Sequence, residues 1–412
     1  MRNQFIRRGR RLALLVMPAA LVLSTFATVN AADPSFDTVV SGLRNPRGID
    51  FSADGKLYVA EAGEAGTVCF TGIPTEEGGQ LCAGLSARIS RIDVRTHARR
   101  DYKTGLVSIG GPLFAIGASG LAVRGNQVYA LMGANDVALP PAEACGGGPE
   151  CQAVLAKAKA QLGHLLRGVT SSRRTWWKQD IGKFNYGWTV ANKATIGAGN
   201  PDYQPGWAEN PDFKPGDSNP YALADAPGGT FMVDGGSNTL TWTPQIGHPR
   251  VVAAFPQPNP PASAENPVPY DAVPTCVAPV GHKVVVSDLH GRIFVVNARK
   301  SNQTVAPVQV TSLGGAFLVA AGGCAADGKG NVYLSDIFAG SVVKLSLATM
   351  TMSWVRPPST LNFPSGVAVG RNGWLYVANN SVCPSFPTPA SGDPANPNPC
   401  EGVTGSIVRL HP

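Results

Sequence analysis

Six segments of the chain share one pattern of apolar and polar positions. In each, a short apolar run is followed by a polar turn and then by a second run in which apolar residues alternate with polar ones. The segment from Pro46 (PRGIDFSADGKLYVAEAG) matches the segment from Pro364 (PSGVAVGRNGWLYVANNS) in the same register. A repeat of this kind predicts one supersecondary unit used several times. Weaker copies start at Ser119, Pro220, Pro274 and Gly323.

Each copy predicts a β-hairpin, because two short strands flank a glycine turn such as Asp54-Gly55, Gly228-Gly229 or Asn372-Gly373. A third strand often follows, as in ARISRIDV, GRIFVVNA, SVVKLSLA and GSIVRLHP. Repeated antiparallel units around an axis bury their faces against each other and leave no long free edge. The sequence therefore predicts an all-β fold, a six-bladed β-propeller. An open sandwich is the alternative, but it does not explain why the last copy matches the first best.

The two ends of the repeat region are predicted to meet. The segment FDTVVSGL, which starts at Phe36, has strand character but precedes the first copy. Placed beside GSIVRLHP near the C-terminus, it would complete the sixth blade. We therefore expect an N-terminal strand to close the ring.

A long insertion interrupts the repeat at about residues 140–216. Its first part contains CQAVLAKAKAQLGHLLRG, whose apolar spacing predicts a short helix that leads into a strand. Its second part, residues 168–216, is aromatic-rich, and this content argues against disorder. We expect either an ordered cap over one face or a satellite core. The aromatic residues are Trp176, Trp177, Phe184, Tyr186, Trp188, Tyr203, Trp207 and Phe213.

Residues 1–31 have the pattern of an export signal peptide. A basic start precedes an apolar stretch from Leu12 to Ala27, and small residues favour cleavage after Ala31. A membrane anchor is the alternative, although Pro18 interrupts a run already short for a bilayer span. We expect residues 32–412 to form a single propeller domain in the periplasm or outside the cell, with the export route left open.

The charge of the chain lies partly in that segment. Removing its five arginines lowers the formal net charge from +7 to +2, and the remainder has no long basic run. This distribution argues against a nucleic-acid partner. After cleavage we expect no membrane association either.

Eight cysteines in an exported chain predict disulfide bonds. Three pairs bracket Gly/Pro-rich excursions and would staple them. Cys276 and Cys324 occupy the glycine position of the repeat in consecutive blades, so we expect them side by side. They could bond, unless the inner strands diverge beyond bonding distance. The three local pairs are Cys69 with Cys82, Cys145 with Cys151, and Cys383 with Cys400.

Four segments carry a resemblance to a known family: NPRGIDFSADGKLYVAEAG, DSNPYALADAPGGTFMVDGGSN, VPTCVAPVG and PSGVAVGRNGWLYVANN. They resemble the ScyD/ScyE family, and the likeness covers roughly residues 36–412. The resemblance implies an exported propeller related to NHL and gluconolactonase-type propellers. The family has no settled chemistry, so it supports the fold more than the function.

The candidate site lies where first strands begin and second strands end, because antiparallel pairing brings these points to one rim of the channel. The second strands end in polar residues that suit a cation such as calcium. Alternatively, each accepts N–H groups in its own turn, and one copy per blade favours this structural role. The candidate metal residues are Glu61, Asp234, Asp288, Asp336 and Asn379. The candidate ligand-binding residues, at the first strands, are Arg47, Asp217, Asn219, Tyr221, Thr275, Asn362 and Ser365.

Two function hypotheses follow. The resemblance to gluconolactonase-type enzymes implies calcium ligands directly before the repeat's glycine position, but no carboxylate or amide stands there. The residues at this position are Arg47, Ser119, Tyr221, Thr275, Gly323 and Ser365. We therefore favour a non-catalytic module, without a cofactor, that binds a small molecule, glycan or protein at the capped rim. The alternative is a calcium-assisted hydrolase, lactonase-like enzyme or lyase that uses the rim carboxylates.

Overall fold

The chain folds as a ring of six sheets whose blade strands pair antiparallel, which confirms the six-bladed propeller. The computed structural model describes residues 36–75, 79–111, 114–135, 139–199, 218–256, 272–382 and 404–411. The predicted signal peptide therefore lies outside the described residues. No helix among the described ranges has the length and hydropathy needed to cross a membrane.

Strand β1 (Phe36–Leu43) precedes blade 1 and belongs to blade 6. Blade 1 contains β2 (Pro46–Phe51), β3 (Lys56–Glu61), β4 (Val68–Pro74), β5 (Gln80–Asp93), β6 (Ala98–Gly110) and β7 (Ala115–Ile116). Blade 2 contains β8 (Ala118–Arg124), β9 (Gln127–Met132), β10 (His164–Val169) and β11 (Ser172–Asp180). Helix α1 (Pro149–Gln161) lies between β9 and β10, and helix α2 (Ile181–Gly199) follows β11.

Blade 3 contains β12 (Pro220–Ala226), β13 (Gly229–Asp234), β14 (Thr239–Pro244) and β15 (Arg250–Ala254). Blade 4 contains β16 (Pro274–Val280), β17 (Lys283–Asp288) and β18 (Ile293–Asn297). The next two strands are β19 (Gln303–Thr304) and β20 (Thr311–Ser312). Blade 5 contains β21 (Ala321–Ala326), β22 (Asn331–Asp336), β23 (Ser341–Ser346) and β24 (Thr351–Arg356). Blade 6 contains β25 (Val367–Val369), β26 (Leu375–Asn379) and β27 (Gly405–Leu410), together with β1.

The hairpin register agrees with the prediction. Pro46 lies opposite Glu61, Pro220 opposite Asp234 and Pro274 opposite Asp288. The starts of the first strands and the ends of the second strands therefore share one face, called here the upper rim. The tight turns at the other end of the hairpins form the lower face. Gly55, Gly228 and Gly373 have φ of 76°, 93° and 80° there, a region that glycine enters without steric cost.

The predicted closure by the N-terminal strand is confirmed. Strand β1 pairs antiparallel with β27, from Phe36 opposite Leu410 to Leu43 opposite Gly405. The outer strand of blade 6 therefore belongs to the segment that leads directly into blade 1, and this pairing covers the edge of β27.

Blade 4 has three strands because the chain that follows β18 joins its neighbours instead. Strand β19 pairs in parallel with β15 of blade 3, and β20 pairs in parallel with β24 of blade 5. Residues 303–312 therefore connect the outer edges of the two flanking blades.

The core lies between the faces of neighbouring blades. Phe51 of blade 1 meets Tyr376 of blade 6 edge-on, with ring centroids 4.9 Å apart. Phe255 and Phe294 make a tilted ring contact between blades 3 and 4, with centroids also 4.9 Å apart. Helix α1 packs on strands β4, β5 and β6 of blade 1 and encloses a further apolar cluster with them. Phe70 and Leu81 of this cluster are fully buried.

The insertion is only partly as expected. The predicted helix and strand at residues 140–166 are confirmed as α1 and β10. Two elements of the second part were not predicted, namely β11, which completes blade 2, and α2, which follows it. Phe184 of α2 packs against a buried cluster of blades 2 and 3, as a satellite core requires. Residues 200–217 lie outside the described part.

The inner strands approach each other closely at the glycine position of the repeat. A Cβ atom on Gly366 would lie 2.1 Å from the carbonyl oxygen of Arg47. In blades 4 and 5 this position holds Cys276 and Cys324, whose Cα atoms are 5.3 Å apart and whose sulfurs are bonded. The inner strands therefore do not diverge there. The disulfides Cys69–Cys82 and Cys145–Cys151 also form, while Cys383 and Cys400 lie outside the described residues.

Candidate functional site

The inner strands of all six blades line a central channel. Its cavity has a volume of about 40 Å³, room for a few water molecules and no more. The six residues that stand directly before the glycine position of the repeat all line this cavity. This set, called the channel ring, comprises Arg47, Ser119, Tyr221, Thr275, Gly323 and Ser365.

Three hydroxyl groups of the channel ring hold neighbouring blades together. Ser119 Oγ donates to the carbonyl oxygen of Pro220 at 3.0 Å, from blade 2 to blade 3. Thr275 Oγ1 donates to Ala321 O, from blade 4 to blade 5. Ser365 Oγ donates to Pro46 O at 3.0 Å, from blade 6 to blade 1. These buried hydroxyls thus join the blades in pairs. Thr275 and Ser365 were predicted to bind a ligand, but in the structure their hydroxyls bond to the next blade.

Arg47 and Tyr221 differ from the hydroxyl residues. Both side chains are partly exposed, and within the described part of the chain neither forms a hydrogen bond or ion pair. No carboxylate is among the described residues that line the cavity, so Arg47 is its one charged side chain. A partly desolvated guanidinium without a counterion favours an anion at this point.

The other predicted ligand residues lie at the upper rim or outside the described part. Asn219 Oδ1 accepts the backbone N–H of Ala134 at 2.7 Å and so ties the start of blade 3 to blade 2. Asn362 is exposed, and its Nδ2 donates to Asn380 Oδ1 at 2.8 Å. Asp217 lies outside the described residues.

The Asp234 carboxylate is fully buried and accepts five hydrogen bonds. All its donors are neutral, and Asn185 from α2 provides one of them at 2.7 Å. The Oδ1 of Asn185 in turn accepts the hydroxyl of Thr241 at 2.8 Å. The buried polar network therefore fixes α2 to blade 3. The remaining donors are the hydroxyl of Ser218 and the N–H groups of Asn219, Gly236 and Ser237.

Arginine side chains form ion pairs with the candidate carboxylates of blades 1 and 4, Glu61 and Asp288. Glu61 accepts two bonds from the guanidinium of Arg99, at 2.9 and 3.0 Å, and one from the N–H of Arg44 at 2.8 Å. Asp288 pairs with Arg292, with an Nε to Oδ2 distance of 2.7 Å. Burial raises the pKa of Asp288, while the charge of Arg292 opposes the shift. Both carboxylates bond to groups of their own blade or, for Arg44, of the segment that leads into it.

Backbone N–H groups donate to the last two candidate metal residues, Asp336 and Asn379. Asp336 accepts the N–H groups of Val319, Ala320, Phe338 and Ala339. Burial raises its pKa, and these bonds oppose the rise. Asn379 Oδ1 accepts the N–H of Asn362 at 2.8 Å.

The five candidate metal residues therefore share the upper rim but do not converge on the cavity. Their bonds are those expected of turn and loop acceptors. Among the described residues no group of three or more His, Cys, Asp or Glu side chains could hold a metal ion. A calcium ion bound by these residues stays a prediction.

Asp50 is a polar residue that the sequence reasoning missed. Its carboxylate accepts the N–H groups of Phe51 and Val123, each at 2.7 Å, and so links blades 1 and 2. Burial raises the pKa of Asp50 to about 7, and Asp225 adds to the rise. Comparison of the copies could have found it, since the other five have alanine at this position. These are Ala122, Ala224, Ala278, Ala326 and Ala368.

Comparison with known proteins adds no function. No family model matches the sequence, and no curated protein matches it significantly. Similar solved structures include a PQQ-bound aldose sugar dehydrogenase from Streptomyces coelicolor (13% identity, 92% of this chain and 97% of that chain, TM-score 0.46). Others are virginiamycin B lyase from Staphylococcus aureus (10%, 92% and 98%, 0.43) and the calcium-binding protein regucalcin from Agrobacterium tumefaciens (11%, 91% and 93%, 0.46). Such weak similarity says nothing about ligand or reaction and does not confirm the ScyD/ScyE family. The fold assignment stands on the sheets themselves.

Proposed function

We propose that the protein is an exported, non-catalytic propeller of the ScyD/ScyE type that binds an acidic ligand at the upper mouth of its channel. One observation carries the proposal: the side chains of Arg47 and Tyr221 have no hydrogen-bond or ion-pair partner among the described residues, while the hydroxyls of the channel ring bond to backbone. Two donors of this kind are free to meet an anion. The disulfides are consistent with export.

The chemistry of Arg47 selects the ligand class. A guanidinium donates two parallel hydrogen bonds to a carboxylate or phosphate, and the bond is strong because both partners are charged. The phenol of Tyr221 can add a third donor. The acid thus binds without a cofactor.

The size of the cavity limits what enters it. A volume of about 40 Å³ accepts an ion-sized group, whereas pockets that enclose whole ligands measure roughly 300–1,000 Å³. Only the acidic end of the ligand therefore enters the channel. The rest lies on the upper rim.

Calorimetric titration of the purified protein with acetate, benzoate and phosphate tests this proposal. We expect the best of these anions to bind about tenfold more weakly to Arg47→Gln, because the variant loses a charge-assisted pair. Arg100→Gln, which changes an exposed arginine on β6, is the matched control and should bind like the wild type. Equal binding by wild type and Arg47→Gln would contradict the proposal.

The enzyme hypothesis has a separate test, although no observation of the site favours it. If the rim carboxylates have only structural roles, calcium should leave the melting temperature unchanged. A calcium-dependent rise that disappears in both Asp234→Asn and Asp288→Asn would instead support a calcium-assisted hydrolase or lyase.

A further inference from the structure

The upper rim of blade 5 exposes three apolar side chains. Phe317, Val319 and Phe338 are 45%, 46% and 54% exposed. We call these three residues the blade 5 track. Blade 1 differs at the same end, because α1 packs on β4, β5 and β6 and buries most of their apolar residues, with Leu85 left exposed. Apolar side chains grouped at one place on a surface commonly mark a binding surface.

The track leads from the outside of the propeller to the channel. At its outer end, Phe317 packs edge-on against Trp354 of β24, with centroids 5.1 Å apart. At its inner end, Val319 lies two residues before β21, whose Gly322 and Gly323 line the cavity.

The Asp336 carboxylate holds the parts of the track together. It accepts the N–H groups of both Val319 and Phe338, so the two backbone segments lie side by side. Gly291 of blade 4 closes the other flank, since a Cβ atom there would lie 1.9 Å from the carbonyl oxygen of Leu318. The apolar side chains are therefore presented on a fixed backbone, and the buried Asp336 has a structural task.

We propose that the ligand is an amphiphilic acid, with its anionic end at Arg47 and its apolar body on the blade 5 track. This inference rests on the proposed function, because it needs the anion to enter the channel. Charge complementarity selects the acid, and the narrow cavity leaves the apolar body on the rim. An alkyl or aryl carboxylate has this chemistry.

A series of carboxylates of increasing length tests the proposal. Butanoate, octanoate and dodecanoate are titrated below their micelle concentrations into the wild type and into Phe338→Ser, which keeps the backbone bond to Asp336. In the wild type we expect affinity to rise about two- to fourfold per methylene until the track is covered. In Phe338→Ser the rise should be shallower, while butanoate binding is unchanged. Dodecyltrimethylammonium, which has the opposite charge, should bind the wild type weakly.

Two controls separate this inference from the proposed function. Ile246→Ser removes a fully exposed apolar residue from the lower face and should bind every probe like the wild type. If butanoate and dodecanoate bind the wild type equally in an Arg47-dependent manner, the blade 5 track does not bind the ligand, but the proposed function stands. If no carboxylate binds, this inference fails, and the proposed function then stands only if phosphate binds in an Arg47-dependent manner.

Discussion

The contact between blades 6 and 1 and the contact between blades 4 and 5 solve the same packing problem in different ways. Both have a channel hydroxyl that donates to the next blade, from Ser365 in one and Thr275 in the other. At the glycine position, however, the first contact has glycine in both blades, whereas the second has the bonded pair Cys276 and Cys324.

The residues at the glycine position show two ways in which closely spaced inner strands can be accommodated. Between blades 6 and 1 a side chain cannot fit, so glycine is required and the blades are joined by strand pairing through β1. Between blades 4 and 5 the same closeness brings two cysteines within bonding distance. One contact depends on a strand, and the other on a covalent bond.

Deleting residues 32–43 should have the largest effect, because it removes β1 and exposes the edge of β27. We expect the protein to lose its cooperative thermal transition, as followed by circular dichroism. The control is a deletion that ends before β1, at residue 34. A truncated protein that keeps the full wild-type transition would contradict closure by β1.

Replacing both Cys276 and Cys324 by serine should have the next largest effect. The two cysteines are 48 residues apart, and opening a loop of that size costs about 4 kcal/mol of unfolding free energy by loop-closure entropy. Denaturant unfolding without reductant measures the loss. Serine at Cys69 and Cys82 is the control, and a smaller loss is expected because that bond links strands within one blade. Equal losses would show that the bond between blades has no special role.

Removing the hydroxyls should have the smallest effect. Ser365→Ala and Thr275→Val each leave one backbone carbonyl without its donor, at a cost of about 1 kcal/mol. We expect Ser365→Ala to cost more, because Ser365 Oγ also lies 2.8 Å from Ser381 Oγ and no disulfide supports this contact. In the Cys276→Ser, Cys324→Ser background, the cost of Thr275→Val should increase. An unchanged cost in that double-mutant cycle would mean that the bond and the hydroxyl act independently.

The repeat allowed most of the fold to be predicted from the sequence. Copies in one register fix which residues share a face, so the contact of Cys276 with Cys324 followed directly from the alignment of the copies. Helix α2 could not be predicted in the same way, since its aromatic, β-branched and glycine residues are weak helix formers. It is held by tertiary contacts, with Ile181, Asn185 and Thr189 on its buried side.

The direction of the rim carboxylates was also beyond the sequence. The register places Glu61 at the end of its strand, but its partner Arg99 comes from β6, a strand that the repeat does not describe. Asp288 and Asp336 instead find partners in the turns that follow their strands, namely Arg292 and the N–H groups of Phe338 and Ala339. Such bonds depend on loop and outer-strand positions that differ between blades.

The pairing of β1 with β27 sets the order in which the molecule can be completed. Phe36 leaves the ribosome more than three hundred residues before Leu410, the residue opposite it in the sheet. Strand β1 therefore stays unpaired while the five blades between β1 and β27 are synthesised. The closing step joins the first strand of the chain to the last. Contacts so distant in sequence form slowly, so an unclosed ring with a free β1 is the state that a chaperone or a protease would meet.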